Sequence, residues 1–298
     1  MKYETLWRRL TGIYDTDEAK AIVRWVLDVR FGLSLTDIVC EKVDELPAAA
    51  QAELEAMMQR LEAAEPVQYV VGVAEFCGRQ FHVEPGVLIP RPETGEMVRW
   101  VLEERGKRKE EREYQMLDIG TGSGCIAITL ALEMKEAKVT AWDVSEKALS
   151  IAKKNANALG ADVTFEKQDI LKLEEQNISL TTHLSPLTSN FPLTSKYDLI
   201  VSNPPYVCDK EKATMERHVL EHEPHLALFV PDDDPLRFYR AIAQYAQRAL
   251  KPGGQLYFEL NPLYARETEA LLQDLGFAET EIKLDMFGKQ RFLKAKKI

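Results

Sequence analysis

The sequence predicts an α/β fold: an open, mostly parallel sheet preceded by a small N-terminal helical domain. Three observations predict it. Tyr114–Ile119 is an apolar run followed by Gly120-Thr121-Gly122-Ser123-Gly124 and an apolar stretch from Cys125 to Met134, the strand–turn–helix unit that opens nucleotide-type folds. Two further short strand patterns, Lys138–Trp142 and 162–166, each lead into an acid, Asp143 and Asp169. A third, Tyr197–Ser202, has the composition of a strand buried on both faces and ends in Asn203-Pro204-Pro205-Tyr206. Ligands of open α/β sheets bind outside the carboxyl ends of the strands. All four candidate sites therefore belong to one edge.

In chain order, residues 1–66 form the helical module. Asp15 with Glu18 three residues on is a capping-box pattern. Ile22, Val23, Val26 and Leu27 then share a face, and Gly32 stands where a C-terminal cap belongs. Pro47 suits the first turn of another helix, whose Leu54, Met57, Met58 and Leu61 form a second apolar face, with the methionines as core filler. Residues 67–73 and 81–87 are predicted as two strands around Cys77-Gly78-Arg79, a β-hairpin linker occupying 67–90. The α/β domain fills 91–298. Within it, residues 174–196 are a probe of composition: Pro186-Leu187-Thr188-Ser189 recurs as Pro192-Leu193-Thr194-Ser195. Such a segment cannot support a packed element and is expected as a disordered surface insertion, with a substrate-gripping lid beside Asp169 as its functional alternative. Beyond it, a helix from Asp234-Pro235-Leu236 to Leu250, a Lys251-Pro252-Gly253-Gly254 turn, a strand 255–260, a helix from Tyr264 to Leu275 closed by Gly276, and strands near 280–284 and 291–295 complete the sheet.

The chemistry follows from these positions. The glycines are spaced G-x-G-x-G, and no Gly-Lys-Ser/Thr follows to cradle phosphates. Asp143 lies where an acid meets a ribose diol, and two charge-assisted hydrogen bonds there are worth roughly 1.5–3 kcal/mol each before ordering costs. Asp169, with Ile170, is placed to meet an adenine ring and its amino group. A lone acid of this kind is more simply a helix N-cap or a solvated loop residue; the series in register outweighs that. An amide or aniline-type nitrogen is a poor nucleophile because its lone pair is delocalised. Asn203 can offer a side-chain carbonyl and Pro204 a backbone carbonyl to the two N–H bonds of such a group. Pro205 stiffens the segment, and Tyr206 offers a ring face to a planar substrate. Taken alone, the tetrapeptide reads equally well as a turn.

Together these residues resemble a class I S-adenosylmethionine-dependent methyltransferase. With Pro66-Val67-Gln68-Tyr69-Val70-Val71-Gly72, Leu88-Ile89-Pro90-Arg91-Pro92-Glu93-Thr94, Asp143-Val144-Ser145-Glu146-Lys147-Ala148-Leu149 and Glu223-Pro224-His225-Leu226-Ala227-Leu228, the chain is similar to the PrmC/HemK family of release-factor glutamine N5-methyltransferases, over most of 68–291. The resemblance implies a seven-stranded sheet whose last strand is antiparallel. It implies S-adenosyl-L-methionine across Gly120, Thr121, Gly122, Ser123 and Gly124, with Asp143, Asp169, Ile170, Asn203 and Thr94 as further contacts. S-adenosyl-L-homocysteine would be the product. Asn203, Pro204, Pro205 and Tyr206 would hold the glutamine of a release factor's GGQ motif, Asn203, Pro204 and Tyr206 acting in catalysis, and the helical domain would dock that factor. Two positions depart from the family pattern: Gly95 stands where a Glu usually follows the Thr, and Glu259-Leu260-Asn261-Pro262-Leu263-Tyr264 lacks an expected glutamine.

Composition narrows the partners. The formal charge is −10, with 48 acidic against 38 basic residues. Binding to nucleic acid rests on clustered Lys and Arg, and the two basic clusters, 105–109 and 294–297, are diluted by acids or terminal. A protein substrate is therefore favoured over nucleic acid. Cys40, Cys77, Cys125 and Cys208 form no C-x-x-C pair, and His218 and His222 lack the Glu of the H-E-x-x-H hydrolases, so no metal is expected. No apolar run reaches membrane-spanning length and Met1-Lys2-Tyr3-Glu4 opens no signal peptide; a cytoplasmic monomer is expected. The alternatives sharing part of the pattern are an N6-adenine DNA methyltransferase, a ribosomal-protein glutamine methyltransferase and a non-enzymatic cofactor-binding protein.

Overall fold

The computed structural model describes residues 2–107, 113–173 and 196–298. The Ser/Thr/Pro-rich repeat at 174–195 lies outside the described residues, as do Arg108 and Lys109 of the first basic cluster. The chain divides into two units.

The first unit comprises the residues up to Ala74 with Val83–Pro85 and Met215–Glu223. It is helical: Tyr3–Leu10, Thr16–Phe31, Leu35–Val39, Ala48–Glu62, Val67–Val71 and Arg217–His222. Leu6, Leu10, Val23, Val26, Leu27, Leu54, Met58 and Leu61 are fully buried and form its core, so the two apolar faces and the methionine fillers are where the periodicity puts them. Asp15 caps the second helix by accepting from the Asp17 and Glu18 amides. The full reciprocal capping box is instead at Ser34 and Asp37, at the start of the next helix, Leu35–Val39.

The first predicted strand is corrected. Val67–Val71 is a helix, capped by Pro66 and ended by Gly72. Its β-branched run resembles a strand, but Tyr69 and Val70 are buried, Val70 in the helical core, and that packing outweighs β propensity. The hairpin is correspondingly short: β1 (Val73–Phe76) and β2 (Arg79–His82). The second predicted strand, 81–87, is corrected too: it ends at His82, and residues 83–90 are irregular.

The second unit carries a seven-stranded sheet. Its strands are β3 (Tyr114–Ile119), β4 (Ala137–Asp143), β5 (Val163–Lys167), β6 (Tyr197–Ser202), β9 (Leu250–Glu259), β10 (Phe277–Leu284) and β11 (Gln290–Lys297). A separate parallel pair, β7 (Val207–Cys208) and β8 (Phe229–Val230), follows the tetrapeptide. The order is β10-β11-β9-β6-β3-β4-β5, with β11 antiparallel to both neighbours. Adjacent strand residues face opposite cores. Met116, Leu199, Val201 and Tyr257 join one apolar cluster, while Leu117, Ile200, Leu256 and Phe258 join the other. Burial on both faces is why these strands read as continuous apolar runs. The chain runs β3, β4, β5 outward on one side, then returns to lay β6 on the other side of β3. The strand order therefore reverses between β3 and β6, and such a switch point opens a crevice at the carboxyl edge.

Register brings the strand ends level. Ile119 lies opposite both Trp142 and Ser202, Asp143 opposite Lys167, and Ser202 opposite Phe258. Gly120, Asp143, Gln168, Asn203 and Glu259 consequently emerge along one edge. The Lys251–Gly254 segment lies inside β9, where it inserts extra residues opposite β6 between Tyr197 and Leu199. Among the described residues no helix is long and apolar enough to cross a membrane.

Candidate active site

At that edge lies a cavity of about 290 Å³. It is lined by Gly120 and Gly122 of the glycine turn, by Asp143, by Asp169 and Ile170, and by Asn203, Pro204 and Pro205. The tetrapeptide and the glycine turn thus share one cavity wall, and an ideal Cβ on Gly120 would come 4.0 Å from the Asn203 carbonyl.

The glycine turn is fixed by its own backbone and by two carboxylates. Gly120 and Thr121 amides both donate to the Trp142 carbonyl at 2.9 Å, and the Gly122 amide donates to Asp143 Oδ2 at 2.9 Å. Asp118 Oδ2 accepts from the Thr121 hydroxyl at 2.6 Å and from the Ala127 amide at 3.3 Å. Asp118 is buried, its Oδ1 has no hydrogen-bond partner among the described residues, and burial pushes its carboxyl up to about 7. The glycines divide their work. Gly122 has φ +55° and an added Cβ would meet nothing within 4 Å, so this turn leaves room for a ligand. At Gly124, φ +84°, a Cβ would come 2.7 Å from Ile128 Cδ1 and 3.1 Å from the Ala152 Cβ, so that glycine serves close packing of the helix Cys125–Glu133.

Asp143 is half-buried and accepts twice, from Gly122 and from the Ser145 amide at 2.8 Å. Burial raises its carboxyl above the usual range, against the pull of these backbone donors. Each oxygen keeps a further acceptor site. Asp169 is an N-cap: its Oδ1 accepts from the Leu171 amide at 3.1 Å and the Lys172 amide at 3.4 Å. Here the cap and the cavity wall are the same residue. Ile170, 7 % exposed, is adjacent to it in the wall.

Asn203 leaves β6 directly after Ser202, whose hydroxyl donates to the Ile119 carbonyl at 2.6 Å and ties the two strand ends together. The Asn203 side-chain NH2 donates to the Thr94 hydroxyl at 3.2 Å. Thr94 donates in turn to Glu259 Oε2 at 2.6 Å, and the Tyr206 hydroxyl donates to Glu259 Oε1 at 3.0 Å. Thr94 is buried and is not in the cavity wall; neither are Thr121, Ser123, Gly124 and Tyr206. The tyrosine expected to offer its ring face is anchored through its hydroxyl, and burial with the neighbouring Glu259 raises that phenol well above its ordinary range.

Several of these partners escaped the sequence reading. Glu259 is one; Asn261 is another. The Asn261 side chain donates to the Tyr206 carbonyl at 2.9 Å and to Glu211 at 2.8 Å, clamping the end of the tetrapeptide from within the run 259–264 that lacks the family's glutamine. Asn155, buried on the helix Glu146–Leu159, bonds the Ser123 carbonyl at 2.9 Å and both backbone groups of His82. Asn patterns on a helix carry no such signal, whereas Glu259-Leu260-Asn261 ends an apolar strand, the same kind of signal that singles out Asn203. The Gly95 departure also has a local cause: a Cβ there would lie 3.3 Å from Cys77 Sγ. Among the described residues no His, Cys, Asp and Glu group could hold a metal ion.

The comparisons agree with this geometry. Residues 7–72 match the family described as PrmC N-terminal domain, and residues 110–280 match a methyltransferase domain. A release factor glutamine methyltransferase of Bacteroides thetaiotaomicron is 46% identical over 286 residues, covering 96% of this chain and 95% of that one. The protein of the same name from Flavobacterium psychrophilum is 40% identical over 285 residues, covering 96% and 94%. Among solved structures, the 16S rRNA N2 G1207 methyltransferase of T. thermophilus, in complex with AdoMet and guanosine, shares the fold with a TM-score of 0.50, 21% identity, and coverage of 76% of this chain and 50% of that one. Sequence, sheet order and relatives converge: this chain belongs to the release factor glutamine methyltransferases, a family of class I methyltransferases.

Proposed function

We propose that the protein transfers a methyl group from S-adenosyl-L-methionine to the side-chain amide nitrogen of the glutamine in the GGQ motif of peptide chain release factors. The observation that carries this reading is the shared cavity: the glycine turn and Asp143 form one part of its wall, Asn203 and Pro204 another. The residues present suit the cofactor. The cavity is close to the smaller ligand sites, about 300 Å³, its glycine turn admits a ligand at Gly122, and Asp143 keeps acceptor capacity for a diol. When bound, the cofactor supplies an electrophilic methyl on a sulfonium.

The chain's own residues then do the positioning. The Asn203 side-chain carbonyl and the Pro204 backbone carbonyl accept the two N–H bonds of the glutamine amide. Both acceptors stabilise the positive charge that develops on the N–H bonds as nitrogen forms a fourth bond, and the methylated amide then loses one of its two protons to solvent. Ser202, Asn261 and the Thr94–Glu259 pair hold these groups still before the substrate arrives. Alignment of this kind is worth roughly 7–11 kcal/mol of the barrier. The helical unit, matching the PrmC N-terminal domain, is the docking surface for the factor. A net charge of −10 suits a basic protein partner better than nucleic acid, and the enzyme acts as a cytoplasmic monomer.

Asn203→Ala tests the pocket. Turnover is expected to fall at least roughly a hundredfold, as for loss of an oxyanion-type group. Cofactor affinity measured by calorimetry should stay within about threefold, well under the tenfold that 1.4 kcal/mol would give. Unchanged turnover would refute the assignment.

A further inference from the structure

Resting on that reading, we infer that Glu259 and Thr94 are positioning residues: they set which face of the Asn203 carboxamide meets the substrate. Asn203 is useful only if its oxygen faces the glutamine, and an amide can turn over with little change of shape. The hydrogen-bond order forbids the turn. Glu259, as a carboxylate, only accepts, and it takes the Thr94 proton at 2.6 Å and the Tyr206 proton at 3.0 Å. A threonine hydroxyl has a single proton. Having given it to Glu259, Thr94 can only accept from Asn203, so Asn203 must present its NH2 there, at 3.2 Å. Its Oδ1 is the atom left to accept from substrate.

The arrangement is built rather than incidental. Thr94 is 3 % and Glu259 2 % exposed, so water does not supply substitute donors. Thr94 follows Pro92 at the start of the helix Pro92–Gly106, Glu259 closes β9, and Asn203 follows β6. Three separate elements therefore meet on one hydroxyl. Burial raises the Glu259 carboxyl above its ordinary range, against the Thr94 and Tyr206 donors and the charge of Arg291, which lies beside the Tyr206 hydroxyl at 3.4 Å and pairs with Asp285 at 3.2 Å.

Thr94→Val and Thr94→Ser separate orientation from shape. Valine keeps the volume and removes the hydroxyl; serine keeps the hydroxyl. With a release factor and S-adenosylmethionine, Thr94→Val is expected to lose roughly tenfold or more in kcat, the worth of one oriented acceptor. Cofactor Kd and the KM for the factor should each change less than about threefold. Thr94→Ser should recover to within about threefold of the parent kcat. The inference is overturned if Thr94→Val turns over like the parent, if both variants fall alike, or if cofactor affinity falls along with kcat. Should Thr94→Val not fold by thermal melt, Thr94→Ala is judged by the same split. A parent enzyme that labels no glutamine would instead overturn the proposed function, leaving the two failures distinct.

Discussion

At the scale of single residues, the site is a set of short polar connections between distant parts of the chain. Thr94 and Glu259 are 165 positions apart, Asn203 and Thr94 109 apart. Local patterns identified Asn203 because the tetrapeptide is contiguous and ends an apolar run. They could not identify Glu259 or Asn261 as partners, since a hydrogen bond across that separation leaves no periodic trace. Asp118 shows the cost of burying such groups. Its folded carboxyl stands near 7, above the roughly 3.9 of an unfolded chain. Between those values the folded state holds the extra proton, so this group's contribution is fully present below about pH 4 and is lost as pH rises through about 7. The loss amounts to a few kcal/mol. Asp118→Asn removes the titration. Its melting temperature relative to the parent is expected to rise between pH 5 and pH 8; a difference that stays flat across that range would contradict the assignment.

Among the elements, the strands of the parallel sheet were legible and the linker was not. Strands β3, β4 and β6 are buried on both faces and bounded by glycine, acid or proline, so their ends could be placed within a residue or so. Val67–Val71 misled because β-branched residues packed among helices look, in sequence, like a strand. The run after β2 read as the rest of a strand to Val87 and, from Leu88, as a family motif; neither reading put Gly86, Val87 and Leu88 in the cavity wall, where they lie. The glycine turn offers the sharpest test at this scale. Gly124→Ala places a methyl against Ile128 and Ala152 at positive φ, and overpacking with left-handed strain predicts a loss of about 2–4 kcal/mol. Gly122→Ala should cost about 1–2 kcal/mol, since its Cβ has space, but weaken cofactor binding. Equal destabilisation by the two substitutions, measured by denaturant melts, would remove the distinction drawn between them.

For the whole molecule, the fold and reaction class were legible because the motifs fall in register along one sheet edge, a condition that chance spacing rarely meets. The choice of acceptor rests on the tetrapeptide's two carbonyls, on the acidic net charge and on relatives aligned over nearly the full chain. The most direct measurement supplies methyl-labelled S-adenosylmethionine together with a purified release factor, ribosomal proteins and DNA, then locates the labelled atom. The label is expected on the amide nitrogen of the release factor's GGQ glutamine. Label on adenine, or on a protein atom other than a glutamine amide nitrogen, would contradict the account.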